Sequence, residues 1–187
     1  MDHADHVRLL RDGVHPSGQI ARASPIGVWG DLGAGEGAFT LALAELLPAG
    51  SVIHAVDKDA RALAENQHAF ARFAPGRETP ALQAHVADFT KRLDLPALDG
   101  IVMANSLHFV RDKGLLLARV REMLKPGAPL LLVEYDADTG NPWVPYPLSF
   151  ETWKTVASAN GFGEPRLLGS EPSRFLRRIY SAAAARG

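Results

Sequence analysis

Along the chain, short apolar runs alternate with segments whose apolar residues recur at helical spacing. Residues 26–32, Ile-Gly-Val-Trp-Gly-Asp-Leu, read as a strand. Phe39, Leu41, Ala42, Leu43, Leu46 and Leu47 then keep the three-and-four spacing of a helix until Pro48-Ala49-Gly50 stops it. Val52-Ile53-His54-Ala55-Val56 gives a second strand ending at Asp57, and Asp59 is placed to cap a helix running to about Phe73. Strands follow at 82–87 and 99–104. Leu115, Leu116, Ala118, Val120, Met123 and Leu124 mark a helix closed by Lys125-Pro126-Gly127, and a fifth strand covers 129–135.

Beyond a Pro-rich loop at 140–148, Ser149 caps a helix carrying Phe150, Trp153, Val156 and Ala157. Strands at about 163–169 and 174–182 face each other across Ser170-Glu171-Pro172-Ser173, and so short a connection makes them antiparallel. The alanine-rich tail from Ala182 reads as a frayed end. Strands alternating with helices predict an α/β parallel sheet.

The 187 residues favour one domain, residues 1–187, with a sizeable core. Twenty basic and twenty-one acidic residues leave a formal charge of -1, so no excess of positive charge exists to drive phosphate-backbone binding. No nucleic-acid partner is expected. The absence of cysteine excludes disulfides, thiolate metal sites and thiol nucleophiles, and fits a cytoplasmic protein. No apolar run reaches membrane-spanning length, so no membrane partner is expected. The polar N-terminus lacks the apolar run of a signal peptide.

The densest chemical signal is Asp31-Leu32-Gly33-Ala34-Gly35-Glu36-Gly37 between a strand and a helix. Glycines let a ligand approach the main chain, and the helix start offers unpaired N–H groups. Read as Gly33-x-Gly35-x-x-Ala38, the loop also satisfies the dinucleotide fingerprint, with Asp57 at the distance of a ribose-binding acid. Against that stand Asp31 two residues before the first glycine, Gly37 one residue early, and the antiparallel strand pair that ends the chain.

Together these segments resemble those of class I S-adenosylmethionine (SAM)-dependent methyltransferases, from about Val28 to Tyr180. The resemblance implies a Rossmann-like fold: a seven-stranded, mostly parallel sheet with a C-terminal antiparallel pair and helices on both faces. Asp31, Gly33, Ala34, Gly35 and Gly37 match the family's first motif. Asp57 matches the acid that binds both ribose hydroxyls, with Lys58 beside it. Asp88 and Phe89 match the segment beside adenine, and Asp99 to His108 the fourth-strand motif, in which Asn105 meets the amino-acid end of SAM. Leu124 to Glu134 match the helix-to-fifth-strand segment. The implied reaction is direct methyl transfer from SAM to an oxygen, nitrogen or carbon of a small molecule, leaving S-adenosyl-L-homocysteine (SAH). No Asn-Pro-Pro-Tyr or Asp-Pro-Pro-Tyr motif follows the fourth strand.

In that geometry His108 would stand near the methyl group as a general base, the alternative being a packing or loop-orienting histidine. Tyr135, Trp143 and Tyr146 are candidates for an aromatic-walled acceptor pocket, or else cover the sheet end. Glu134 and Asp136 are acids placed to steady an amine acceptor. No histidine pattern suggests a metal site: His3 and His6 read as exposed, and His54, His68 and His85 lack carboxylates at ligand spacing. Arg174, Arg177 and Arg178 read as a solvated edge of the last strand, Arg174 and Arg178 on one face.

Before the first strand, residues 1–25 form a short cover in which Val7, Leu9 and Leu10 anchor a helix. An open site is expected, completed by the Pro-rich loop or a partner subunit, in a monomer or homodimer. Two other readings remain: an NAD(P)-dependent oxidoreductase, without a visible Tyr-x-x-x-Lys pair, and a methyltransferase-fold protein that binds SAM without catalysis.

Overall fold

The computed structural model describes residues 1–15 and 26–187; the remainder of the expected N-terminal cover lies outside the described residues. Five parallel strands carry the apolar runs: β1 (Val28–Leu32), β2 (Val52–Asp57), β3 (Ala81–Val86), β4 (Gly100–Ala104) and β5 (Pro129–Tyr135). β6 (Arg166–Pro172) and β7 (Arg178–Ala185) pair antiparallel, and β7 also runs antiparallel to β5. The order across the sheet is β3-β2-β1-β4-β5-β7-β6.

Among the described residues, five helices cover the two faces: α1 (His3–Val14), α2 (Ala38–Leu46), α3 (Ala60–Phe73), α4 (Lys113–Met123) and α5 (Phe150–Ala159). Side-chain caps stand at the starts of α3, α4 and α5: Asp59 accepts from the N–H groups of Arg61 and Ala62, Asp112 from Gly114 and Ser149 from Thr152. None of these helices is long and apolar enough to cross a membrane.

Alternation along β5 shows how one apolar run serves two cores. Leu130 and Leu132 pack with Leu116, Leu117, Val120 and Trp153 of α4 and α5. Leu131 and Val133 pack with Leu9 and Leu10 of α1 and Phe39 and Leu43 of α2. The four leucine and valine side chains are wholly buried.

Two expectations need correction. The alanine-rich tail is not frayed: β7 pairs with β5 from Tyr135↔Ile179 to Pro129↔Ala185, and Ala182 and Ala184 are buried. Small side chains are what this strand needs, because it lies between β5 and β6 beneath packed helices. The hairpin turn falls later than expected, with β6 continuing to Pro172 and Arg177 taking a φ of 56° before β7 begins. Arg174 therefore lies in the turn and shares no strand face with Arg178. Beyond these corrections, some histidines have partners that their spacing did not announce. His54 Nδ1 and His85 Nε2 meet at 2.9 Å across β2 and β3, and His3 Nε2 lies 2.8 Å from Glu45 Oε2.

Enlarging the buried alanine of β7 tests the corrected role of the tail. Ala182→Leu should lower stability by roughly 1–3 kcal/mol through overpacking, measured by urea denaturation. An unchanged midpoint would return the segment to a loose end.

Candidate active site

The carboxyl ends of β1 and β4 meet where the connections diverge, one chain direction leading to β2 and the other to β5. Into that crevice β1 delivers the glycine loop. Gly33, Gly35 and Gly37 all have positive φ, at 83°, 51° and 97°. A Cβ on Gly33 would lie 2.5 Å from the Ser106 Cβ, and one on Gly37 2.7 Å from the Asn66 side chain. At Gly35 a Cβ would meet nothing within 4 Å. The outer two glycines are thus demanded by the protein itself, whereas the middle one fronts open space.

Asp57 holds this loop to the next one. Its Oδ2 accepts from the Gly35 N–H at 2.9 Å and its Oδ1 from the Asp59 N–H at 2.9 Å. The Gly33 and Ala34 N–H groups both donate to the Val56 carbonyl. Asp31 lies beneath, almost wholly buried, accepting from Thr40 Oγ1 at 2.6 Å while Asn66 Nδ2 donates to the same hydroxyl at 2.8 Å. Burial pushes the Asp31 carboxyl up to about 6, against the Thr40 hydrogen bond and with the Asp57 charge adding to the rise. Asp31 therefore props the loop from within. Thr40 and Asn66 were not legible as site residues, since neither belongs to the glycine motif.

Asp88 and Phe89 stand at the far side. Asp88 Oδ1 accepts both the Thr90 N–H and hydroxyl, which hold its carboxyl below the usual range, and the Lys91 and Lys58 charges add to this. The half-buried Phe89 ring closes on Gly33. Lys58 is exposed. From β4, Asn105 takes a φ of 52° and donates its N–H to the Val133 carbonyl, and its side-chain Oδ1 is buried without a partner. Ser106 Oγ ties this turn to the end of β1 by donating to the Leu32 carbonyl at 2.8 Å.

His108 lies in a single 3₁₀ turn, Leu107–Phe109, and is buried. The wholly buried Glu134 carboxylate accepts its backbone N–H at 3.0 Å and faces its Nδ1 at 2.9 and 3.1 Å. Glu134 also accepts from the Tyr135 N–H at 3.2 Å. These contacts correct the expected meeting of Glu134 with an amine acceptor: the carboxylate anchors the turn after β4 to the end of β5. Asp136 is exposed, and its Oδ1 accepts from the Phe150 N–H at the start of α5.

Of the three aromatic candidates, Tyr135 lines a cleft of about 400 Å³ together with Asn105, Ser173, Arg174 and Phe175. Trp143 is 70% exposed and does not line it. Tyr146 donates its N–H to the His108 carbonyl and its own carbonyl accepts from Lys113 Nζ, which pins the Pro-rich loop over the 3₁₀ turn. The Tyr135 cleft and two others, of about 490 and 580 Å³ elsewhere on the surface, contain none of the glycine-loop residues. Among the described residues no group of three or more metal-ligating side chains occurs.

A glycine loop at the switch point, an acid ending β2 and the strand order with its inserted antiparallel β7 define the class I methyltransferase fold. The sequence agrees: a family model described as a methyltransferase domain matches residues 31–130, and the chain belongs to that family. No curated protein matches it in sequence at a significant level. Solved structures share the fold at low identity. The YcgJ protein of Bacillus subtilis is 14% identical with a TM-score of 0.72, covering 98% of this chain and 99% of that one. A SAM-dependent methyltransferase of Methanosarcina mazei is 18% identical at a TM-score of 0.66, covering 86% and 92%. Magnesium protoporphyrin IX methyltransferase of Synechocystis PCC 6803 with bound SAH is 17% identical at a TM-score of 0.75, covering 99% and 83%.

The three glycines should respond differently to alanine. Gly33→Ala should cost roughly 2–4 kcal/mol, from left-handed strain plus the collision with Ser106. Gly35→Ala should cost about 1 kcal/mol, from strain alone. Equal losses in urea denaturation would contradict the open space over Gly35.

Asp31 makes a pH-dependent contribution. A carboxyl whose folded pKa is raised binds its proton more tightly in the folded chain, so its favourable contribution is complete below about pH 4 and is lost as pH rises through about 6. Asp31→Asn removes the buried charge and keeps an acceptor for Thr40. It should be more stable than the parent at pH 7.5 by roughly 1–3 kcal/mol, and the difference should vanish near pH 4. A constant difference between the two pH values would refute the assignment.

Proposed function

We propose that this chain is a SAM-dependent methyltransferase acting directly on an oxygen, nitrogen or carbon nucleophile of a small molecule. The observation that carries this reading is the open ground over Gly35, bounded by two carboxylates with acceptor capacity to spare. Ribose hydroxyls and the adenine amine are donors, and ionised carboxylates are acceptors only. Each Asp57 oxygen accepts one backbone N–H and keeps a further lone pair for a ribose hydroxyl. Asp88 directs Oδ1 to Thr90, leaving Oδ2 for the adenine amine, with Phe89 as an apolar neighbour for the ring. The orphaned Oδ1 of Asn105 fits an ammonium donor at the amino-acid end of the cofactor. Gly33, Ala34, Gly37 and Lys58 contribute loop backbone, and Asp31 supports it from below.

When bound, SAM supplies an electrophilic methyl group on a sulfonium with a good leaving group. The protein's part is then to hold the acceptor in line and exclude water, for which well-held geometry contributes about 7–11 kcal/mol. His108 is the proton acceptor we assign, with Glu134 fixing Nδ1 and leaving Nε2 for the acceptor's proton. Service as a base requires the neighbouring Phe109 or Tyr135 ring to move aside, because the imidazole is 3% exposed and the ring centroids lie 4.2 and 5.5 Å away. The cleft beside Asn105 and the near-balanced charge support a small acceptor.

Calorimetric titration with SAM, SAH and NAD(P) tests the cofactor. SAM and SAH should bind, and Asp57→Ala should weaken both at least tenfold while thermal unfolding stays cooperative. Binding of NAD(P) without SAM would replace this reading with a dehydrogenase. With a productive acceptor, His108→Ala should lower turnover by about 10²–10⁴-fold at unchanged SAM affinity. Unchanged turnover would leave His108 as an anchor of the β4 turn alone.

A further inference from the structure

The cleft beside Asn105 carries a cation that no neighbouring acid neutralises. Arg174 lines it from the β6–β7 turn, and among the described residues it has no ion-pair or hydrogen-bond partner. The carboxylates at the end of β5 and in β6 each have another partner, and none forms an ion pair with Arg174. Glu134 is held by His108 and the Tyr135 N–H, Asp136 by the Phe150 N–H, Asp138 by Ser149, and Glu171 by Arg8 at 2.5 Å.

The turn that presents Arg174 is itself tied down. Ser173 donates its N–H to the Arg177 carbonyl at 2.8 Å, and Phe175 donates its N–H to Ser173 Oγ at 3.3 Å. Asn141 reaches across from the Pro-rich loop to the Phe175 carbonyl. Tyr135 and Phe175 stand nearly perpendicular, their centroids 6.3 Å apart, and give the cleft two aromatic walls. An unpaired guanidinium beside aromatic walls suits a flat, partly apolar molecule with one negative group.

We propose that this cleft receives the methyl acceptor and that Arg174 pairs with a carboxylate on it, the apolar body lying against Tyr135 and Phe175. The proposal rests on the methyltransferase reading above and names the substrate class of that site: a small planar acid. The guanidinium fork matches the two oxygens of a carboxylate. A volume of about 400 Å³ is enough for one or two rings. The same pairing chemistry could serve the carboxylate of SAM itself, so the test separates the two.

Wild-type protein and Arg174→Gln are titrated with SAH. At saturating SAH, each is then titrated with 4-hydroxybenzoate, its uncharged analogue 4-hydroxybenzamide, and phenyl phosphate. The acid should bind the wild type at least about tenfold more tightly than the amide, as one charge-assisted pair allows. In Arg174→Gln that preference should fall below about threefold, with SAH affinity the same in both proteins. No preference for the acid in the wild type, whether both compounds bind or neither does, overturns the proposal. So does a tenfold loss of SAH affinity in Arg174→Gln, which would give the guanidinium to the cofactor, or tighter binding of phenyl phosphate, which would make the acceptor a phosphate ester. Failure of the wild type to bind SAH would refute the methyltransferase reading instead.

Discussion

The architecture depends on β1 having a parallel partner on each side, β2 and β4. Parallel neighbours need long crossovers, and here those to β2 and β3 pass over one face through α2 and α3 while α4 lies on the other. The connections leaving β1 and β4 therefore part company, and a crevice at their carboxyl ends is unavoidable. Four parts assigned to the site leave strands at that end of the sheet. The glycine loop leaves β1, Asp57 ends β2, Asn105 follows β4 and Tyr135 ends β5.

Local hydrogen bonds turn the crevice into a defined surface. Asp57 joins two successive loops, Ser106 closes β4 onto β1, and Glu134 fastens the turn after β4 to β5. Several of these features oppose folding. Asp31 buries a carboxyl that would be better solvated, and Asn105 holds a left-handed backbone without glycine's freedom. Such costs gather around the glycine loop and the turn after β4, and the two aliphatic core layers offset them.

Signals carried within a few residues were readable in advance. Asp59 and Ser149 cap where their side chains and the following periodicity placed them, and the glycine spacing marked the loop between β1 and α2. Those features depend on backbone geometry that neighbouring residues set. Contacts across long separations were not readable. Nothing near Glu134 in the chain announces His108 as its partner, and nothing around Thr40 or Asn66 reveals that they receive Asp31. The alanine tail looked loose because alanine supplies little burial of its own; its place between β5 and β6 makes small size a requirement.

By itself the sequence determined the alternation of strands and helices, the glycine loop and the acid that follows it, because these depend on local propensity, capping and spacing. The tertiary structure alone decided which polar groups face the crevice and which support it. It buried Asp31 and Glu134, left Trp143 in solvent, and carried Arg174 from an expected strand into the turn beside Tyr135. The physical reason is that a side chain's charge and exposure are set by the elements packed against it, and those elements lie tens of residues away in the chain.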